Sequence, residues 1–158
     1  MAPLTFRVVP AHEPPATELS AAMVREIEGL YGSLEGREDF PSATPEDFSA
    51  PSGVYVAGFD SADPGAAAIC GGGIKRYDEQ TGELKRMYVV REGRGRGAAR
   101  ALLAALEDAA RELGYARVRL DTGPKQPHAR ALYESARYRS IPDYNTNPAA
   151  GWWGEKEL

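Results

Sequence analysis

The stretch Val90-Arg-Glu-Gly-Arg94-Gly95-Arg96-Gly97-Ala98-Ala99-Arg100-Ala-Leu-Leu103 decides the fold. A glycine-rich turn feeds directly into a helix. Ala99, Leu102, Leu103, Leu106, Ala110 and Leu113 recur at helical spacing and make one apolar stripe. The spacing predicts a helix over 95–113, with Gly114 where a C-terminal cap belongs. Before it, Leu84 to Val90 reads as a strand; after it, Val118 to Asp121 reads as another. Strand, turn, helix, strand is a crossover unit, so those two strands should run parallel.

Further out, the pattern changes. Leu4 to Val9 is a short strand, and Leu19, Met23, Ile27 and Leu30 predict a helix after Pro14 and Pro15. Gly32 to Pro51 reads as a long, partly helical loop. Val54 to Phe59 and Ala66 to Tyr77 are strands joined by the turn Asp60 to Gly65, an antiparallel hairpin. Gly71 to Gly73 marks a bulge or a close backbone contact, and Gln80 to Gly82 a second turn. Beyond the crossover, His128 to Ala136 reads as a helix and Tyr138 to Ile141 as a strand. Pro142 to Pro148 is a loop, and Trp152 to Glu157 a terminal strand. Hairpins plus one crossover make a mixed sheet.

Bulk properties narrow the function classes. With 158 residues, one domain spanning 1–158 is expected, able to bury a core without disulfide or metal. The single Cys70 excludes an internal disulfide and a multi-thiolate zinc site, and two histidines argue against a His-rich metal centre. A net charge of −4 speaks against a general nucleic-acid binder. No apolar run approaches the roughly 20 residues of a membrane span, and MAPLTFRVVP lacks the features of a secretory signal. The expected location is cytoplasmic. Charge is uneven: nine acids fall in residues 1–50, whereas Lys85, Arg86, Arg91, Arg94, Arg96 and Arg100 crowd 85–100. Solvated faces explain such runs, but an anion site in the basic half and a cationic or amine-bearing ligand near the acidic half also fit.

The turn itself is an anion cradle on physical grounds. Gly95 and Gly97 carry no side chain, so an anion can reach the backbone. Unpaired N–H groups of the first helical turn point at it, and the helix dipole adds positive potential. Arg94 and Arg96 can add charge-assisted bonds. A P-loop would need Gly-Lys-Ser/Thr, which is absent, and Gly93-Arg-Gly95-Arg-Gly97 has the wrong spacing for a dinucleotide fingerprint.

Arg94-Gly-Arg-Gly97-Ala-Ala99 resembles the Gln/Arg-x-x-Gly-x-Gly/Ala signature of the GNAT acetyltransferases. It follows the strand Glu83-Leu-Lys-Arg-Met-Tyr-Val-Val90 and precedes an amphipathic helix, as in that family. Gln126-Pro-His-Ala129-Arg-Ala-Leu132-Tyr133-Glu-Ser-Ala-Arg-Tyr138 is similar to the family's Asn-x-x-Ala-x-x-Leu-Tyr-x-x-x-Gly-Phe segment. The resemblance covers residues 53–141 well and the first 50 in outline. It implies a mixed, mostly antiparallel sheet of about seven strands, with a central splayed parallel pair and about four flanking helices.

The implied activity is acetyl transfer from acetyl-CoA to a primary amine of a small molecule, amino acid or peptide, without a metal. A monomer or homodimer is implied, with no nucleic-acid or membrane partner. Arg94, Gly95, Arg96, Gly97, Ala98 and Ala99 would hold the pyrophosphate. Met87, Tyr88 and Val89 would line the pantetheine arm, and the Met87 N–H would polarise the thioester carbonyl. Gln126, in place of the usual Asn, and Ala129 would also touch the cofactor. Tyr133 corresponds to the family's acid. Glu83, eleven positions before Arg94, corresponds to the glutamate base of the histone acetyltransferases in this family. Tyr88 and Glu28 are weaker alternatives for the base, and water chains could replace a single base. His128 reads as a surface residue, Cys70 as core, and Trp152 and Trp153 as packing residues. Ala136-Arg137 departs from the family's Gly before Tyr138. The opposing reading is an acyl-CoA-binding regulatory module without turnover.

Overall fold

The computed structural model describes residues 3–33, 43–61, 63 and 65–158. Seven strands form one sheet: β1 (Leu4–Val8), β2 (Val54–Asp60), β3 (Cys70–Arg76), β4 (Thr81–Val89), β5 (Arg117–Thr122), β6 (Arg139–Ser140) and β7 (Trp152–Glu157). Their order across the sheet is β1-β2-β3-β4-β5-β7-β6, with β4 and β5 parallel and the other pairs antiparallel. Three α-helices stand among the described residues: α1 (Ala16–Tyr31), α2 (Ala98–Glu112) and α3 (Pro127–Ser135). Two short 3₁₀ turns, Pro45–Phe48 and Arg91–Gly93, complete the regular structure. Part of the expected loop 32–51 lies outside the described residues; the rest contains the first of these turns.

Helix α2 covers one face. Leu102, Leu103, Leu106 and Ala110 are buried against Val54, Val56, Ile74, Leu84, Val118 and Leu120. Gly114, at φ +92, ends the helix as expected. Its N–H reaches the Arg111 carbonyl at 3.0 Å, and the Tyr115 N–H reaches Ala110 at 3.1 Å. That pattern is a Schellman cap. Truncating Leu106 would cost about 2–5 kcal/mol by the usual range for buried leucines.

The other face carries α1 and the first 3₁₀ turn, with Leu19, Phe48 and Tyr55 as a second core. A Cβ on Gly73 would meet the Phe48 ring at 2.3 Å, so that glycine marks a close approach. The bulge lies opposite. Between Gly71 and Gly73, β3 advances by two residues while β4 advances from Tyr88 to Lys85, by three. Arg86 is the extra residue, at φ +58. The bulge resets the alternation of β4. Leu84 packs with α2, Arg86 turns over the Phe48 ring, and Met87 and Val89 return to the α2 side. Strand β4 starts at Thr81, so the expected turn at 80–82 falls earlier, where the Thr81 carbonyl accepts from Tyr77 and Asp78.

Candidate active site

The parallel pair is short. Thr81, Gly82 and Glu83 pair with Arg117, Val118 and Arg119, and there the pairing ends. Strand β4 stays with β3 as far as Val89, whereas β5 stays with β7 along its whole length. A gap therefore opens between β4 and β5 beyond Glu83 and Arg119. The Val90 N–H bonds to the Ile69 carbonyl on the β3 side. Alternation then turns the backbone groups of Met87 and Val89 toward the gap.

At the mouth of the gap lies a cavity of about 380 Å³, lined by Met87, Tyr88, Gly97, Ala99, Arg100, His128, Ala129, Leu132 and Tyr133. The two sequence motifs, far apart in the chain, thus meet around one space. Gly95 and Gly97 have φ of +82 and +77, and no atom lies within 4 Å of a Cβ placed on either. The first intrahelical bond of α2 runs from Ala101 to the Gly97 carbonyl, at 3.1 Å. The N–H groups of Ala98, Ala99 and Arg100 precede it and have no place in the helical ladder. Ala98 itself is buried.

The arginines are arranged differently from expectation. Arg94 donates to Glu26 on α1 and to the Val89 carbonyl. The pairing holds the Glu26 carboxyl below the usual carboxylate range, through the hydrogen bond first. Arg96 pairs with Asp60 at 3.4 Å. The cavity is lined by Arg100, whose Nη2 donates to Ser135 Oγ at 2.7 Å. Gln126 turns inward to its own loop: Oε1 accepts from the Gly123 N–H at 3.3 Å and from Tyr31 at 3.5 Å.

Tyr133 is buried, with its hydroxyl 3.8 Å from the Met87 sulfur. Burial, and then the Asp121 carboxylate, push that hydroxyl well above the ordinary tyrosine value. It is placed by α3, which also ends in a Schellman cap. The Tyr138 N–H reaches the Tyr133 carbonyl, and the Arg137 N–H reaches Glu134, both at 3.0 Å. Arg137 takes φ +77, so the turn before Tyr138 survives the loss of glycine.

Glu83 lies on the opposite face of β4 from Leu84. Its Oε2 accepts from the Tyr144 hydroxyl at 2.7 Å and sits 3.5 Å from Lys85 Nζ. Of the nine acids in residues 1–50, Glu26 and Asp47 are engaged by Arg94 and Lys75. Glu35, Glu38 and Asp39 lie outside the described residues. Cys70 is buried, its thiol pushed up to about 11 by burial. Trp152 is core, and Trp153 donates to Asn145 at 3.0 Å. Among the described residues no group of His, Cys, Asp and Glu could hold a metal, and no helix is long and apolar enough to cross a membrane.

Sequence reasoning missed Arg100, Leu132 and Tyr144, and placed His128 on the surface without the cavity it borders. Arg100 stood in the same basic helix start and could have been found from it. Tyr144 had no motif around it.

The acetyltransferase (GNAT) family model matches residues 21–137. No curated protein matches the chain in sequence. Among solved structures, the chain is similar to a Klebsiella pneumoniae protein assigned to the acyl-CoA N-acyltransferases, at 26% identity and TM-score 0.73, covering 98% of this chain and 97% of that one. An acetyltransferase from Streptococcus agalactiae is 16% identical, with TM-score 0.73 and 98% of each chain covered. A GNAT acetyltransferase from Elizabethkingia anophelis, solved with acetyl-CoA bound, is 16% identical, with TM-score 0.66 and 98% of each chain covered.

Proposed function

The chain belongs to the GNAT acetyltransferase family, an acyl-CoA-dependent transferase by that membership, and we propose that it acetylates a primary amine by direct attack on acetyl-CoA, within one domain spanning 1–158. The observation that carries this reading is the single cavity bordered by the glycine turn, by Met87 and by Tyr133. The residues fit the donor. Two left-handed glycines and the first-turn N–H groups of α2 suit a pyrophosphate, and the β4 edge beyond Glu83, where β5 has left it and Arg94 takes the Val89 carbonyl, suits the amides of a pantetheine arm.

Bound acetyl-CoA supplies an acetyl group activated as a thioester. The protein's part is positioning and proton management. Ala98, Ala99 and Arg100 hold negative charge through their N–H groups, helped by the α2 dipole. The Met87 N–H faces the gap and polarises the carbonyl. Tyr133 keeps its proton far above neutral pH and donates it to the departing sulfur. A lysine-like ammonium with a pKa of ~10.4 is short of its neutral form at pH 7 by about 3.4 units, or about 4.6 kcal/mol. Glu83 removes that proton. The acceptor is the amine of a small molecule, an amino acid or a peptide.

The test is a screen of CoA-thiol release over amines, amino acids, peptides and acidic small molecules that lack an amine. Release confined to amine-bearing compounds is the expected result. Faster release with acidic compounds lacking an amine would refute the acceptor class.

A further inference from the structure

Both contacts of Glu83 fall on one oxygen. Tyr144 and Lys85 meet Oε2, while Oε1 has no hydrogen-bond partner among the described residues. The side chain is only 7% exposed, so few orientations are open to it. Its neighbours across the sheet are Lys75 on β3 and Arg119 on β5. Burial first, then the Glu83 carboxylate, then Asp121 further along β5, raise the Tyr144 hydroxyl.

Tyr144 comes from the irregular segment between β6 and β7, but that segment is pinned. Asp143 Oδ1 accepts from the N–H groups of Asn145 and Thr146, at 3.0 and 2.7 Å. The amides of Asn145 and Asn147 both donate to the Asp121 carboxylate. The Tyr144 ring meets Tyr77 edge to face at 5.3 Å. The Arg119 guanidinium lies 4.8 Å from the Tyr144 ring centre and 4.3 Å from that of Tyr77. Arg119 is itself held by the buried Glu155. The hydroxyl is therefore delivered to Glu83 by a pre-formed structure.

We infer that Tyr144 is the positioning residue of Glu83: it fixes Oε2, so that Oε1 is the atom presented to the acceptor ammonium. This rests on the reading of Glu83 as the base. In the step, an ammonium N–H bond breaks, its proton bonds to Oε1, and the electron pair stays on nitrogen to attack the acyl carbon. Tyr144 keeps its own proton throughout, because burial and the adjacent carboxylate push its hydroxyl up.

A double-mutant cycle tests this. Tyr144→Phe keeps the ring between Tyr77 and Arg119 and removes only the hydroxyl. The expected loss is about tenfold in kcat, with the KM for acetyl-CoA unchanged. In a Glu83→Gln background, Tyr144→Phe should cost less than about twofold. The same loss in both backgrounds, or a loss that falls on the KM for acetyl-CoA rather than on kcat, would overturn the inference alone. Full activity in Glu83→Gln would remove the base assignment and this inference with it.

Discussion

Arg94 donates from Nη2 to Glu26 Oε2 at 2.7 Å and from Nε to the Val89 carbonyl at 3.0 Å, so its guanidinium bridges α1 and the end of β4. The first residue of the glycine turn thus ties the turn to α1 and to the Val89 carbonyl, and Arg100 is the arginine that lines the cavity. Arg100→Gln should weaken acetyl-CoA binding about tenfold, the loss of one charge-assisted bond. Arg94→Gln should weaken it less than about threefold. Calorimetric titration of both variants distinguishes the two roles, and the reverse order would contradict them.

Two glycine substitutions should separate binding from stability. Alanine at Gly97 meets no atom within 4 Å, but takes a left-handed conformation that costs about 1–2 kcal/mol. The relief is movement of the turn, so acetyl-CoA affinity should fall. Alanine at Gly73 meets the Phe48 ring instead. It should lower stability by about 1–3 kcal/mol while leaving acetyl-CoA affinity nearly intact. Urea melts and titrations on both variants read the difference.

Arg137 stands where the Schellman cap of α3 favours glycine, at φ +77. Arg137→Gly should stabilise the protein by about 1 kcal/mol, raising Tm by about 2–4 °C. A lowered Tm would mean that the arginine side chain makes a larger contribution than its backbone strain removes.

Stability should fall in alkali. Burial raises Cys70 to about 11 and Tyr55 to about 12, and raises Tyr133 and Tyr138 further. Each folded value lies above the unfolded one, so the folded state holds these protons longer. Their contribution is complete below the unfolded values and is lost as pH rises through the folded ones. Urea midpoints should be level from about pH 7 to 8.5 and decline above about 9, the thiol acting first. Cys70→Ala should flatten the decline between about pH 9 and 11.

Legibility in the sequence followed the range of the interactions. The α2 stripe and Gly114 were readable because helix period and cap are local. The glycine turn was readable because two glycines next to a helix start define it. Gly71 to Gly73 attracted attention as a bulge site, yet the extra residue is Arg86 on the facing strand, where no residue type announces it. The glycine at 73 answers to Phe48 instead, twenty-five positions earlier. Arg94 was found by motif, but its Glu26 partner depends on where α1 docks. Tyr144 depends on two asparagines reaching Asp121, a pairing that only the folded sheet creates.

The central claim is acetyl transfer with Tyr133 as the acid. The most direct measurement is amine-dependent release of CoA thiol by the wild-type protein and by Tyr133→Phe, with acetyl-CoA binding followed by thermal shift. The account expects both proteins to be stabilised by acetyl-CoA, with release falling by about 10²–10⁴-fold in the variant. Stabilisation of the wild type without release for any amine, or equal release by both proteins, would contradict it.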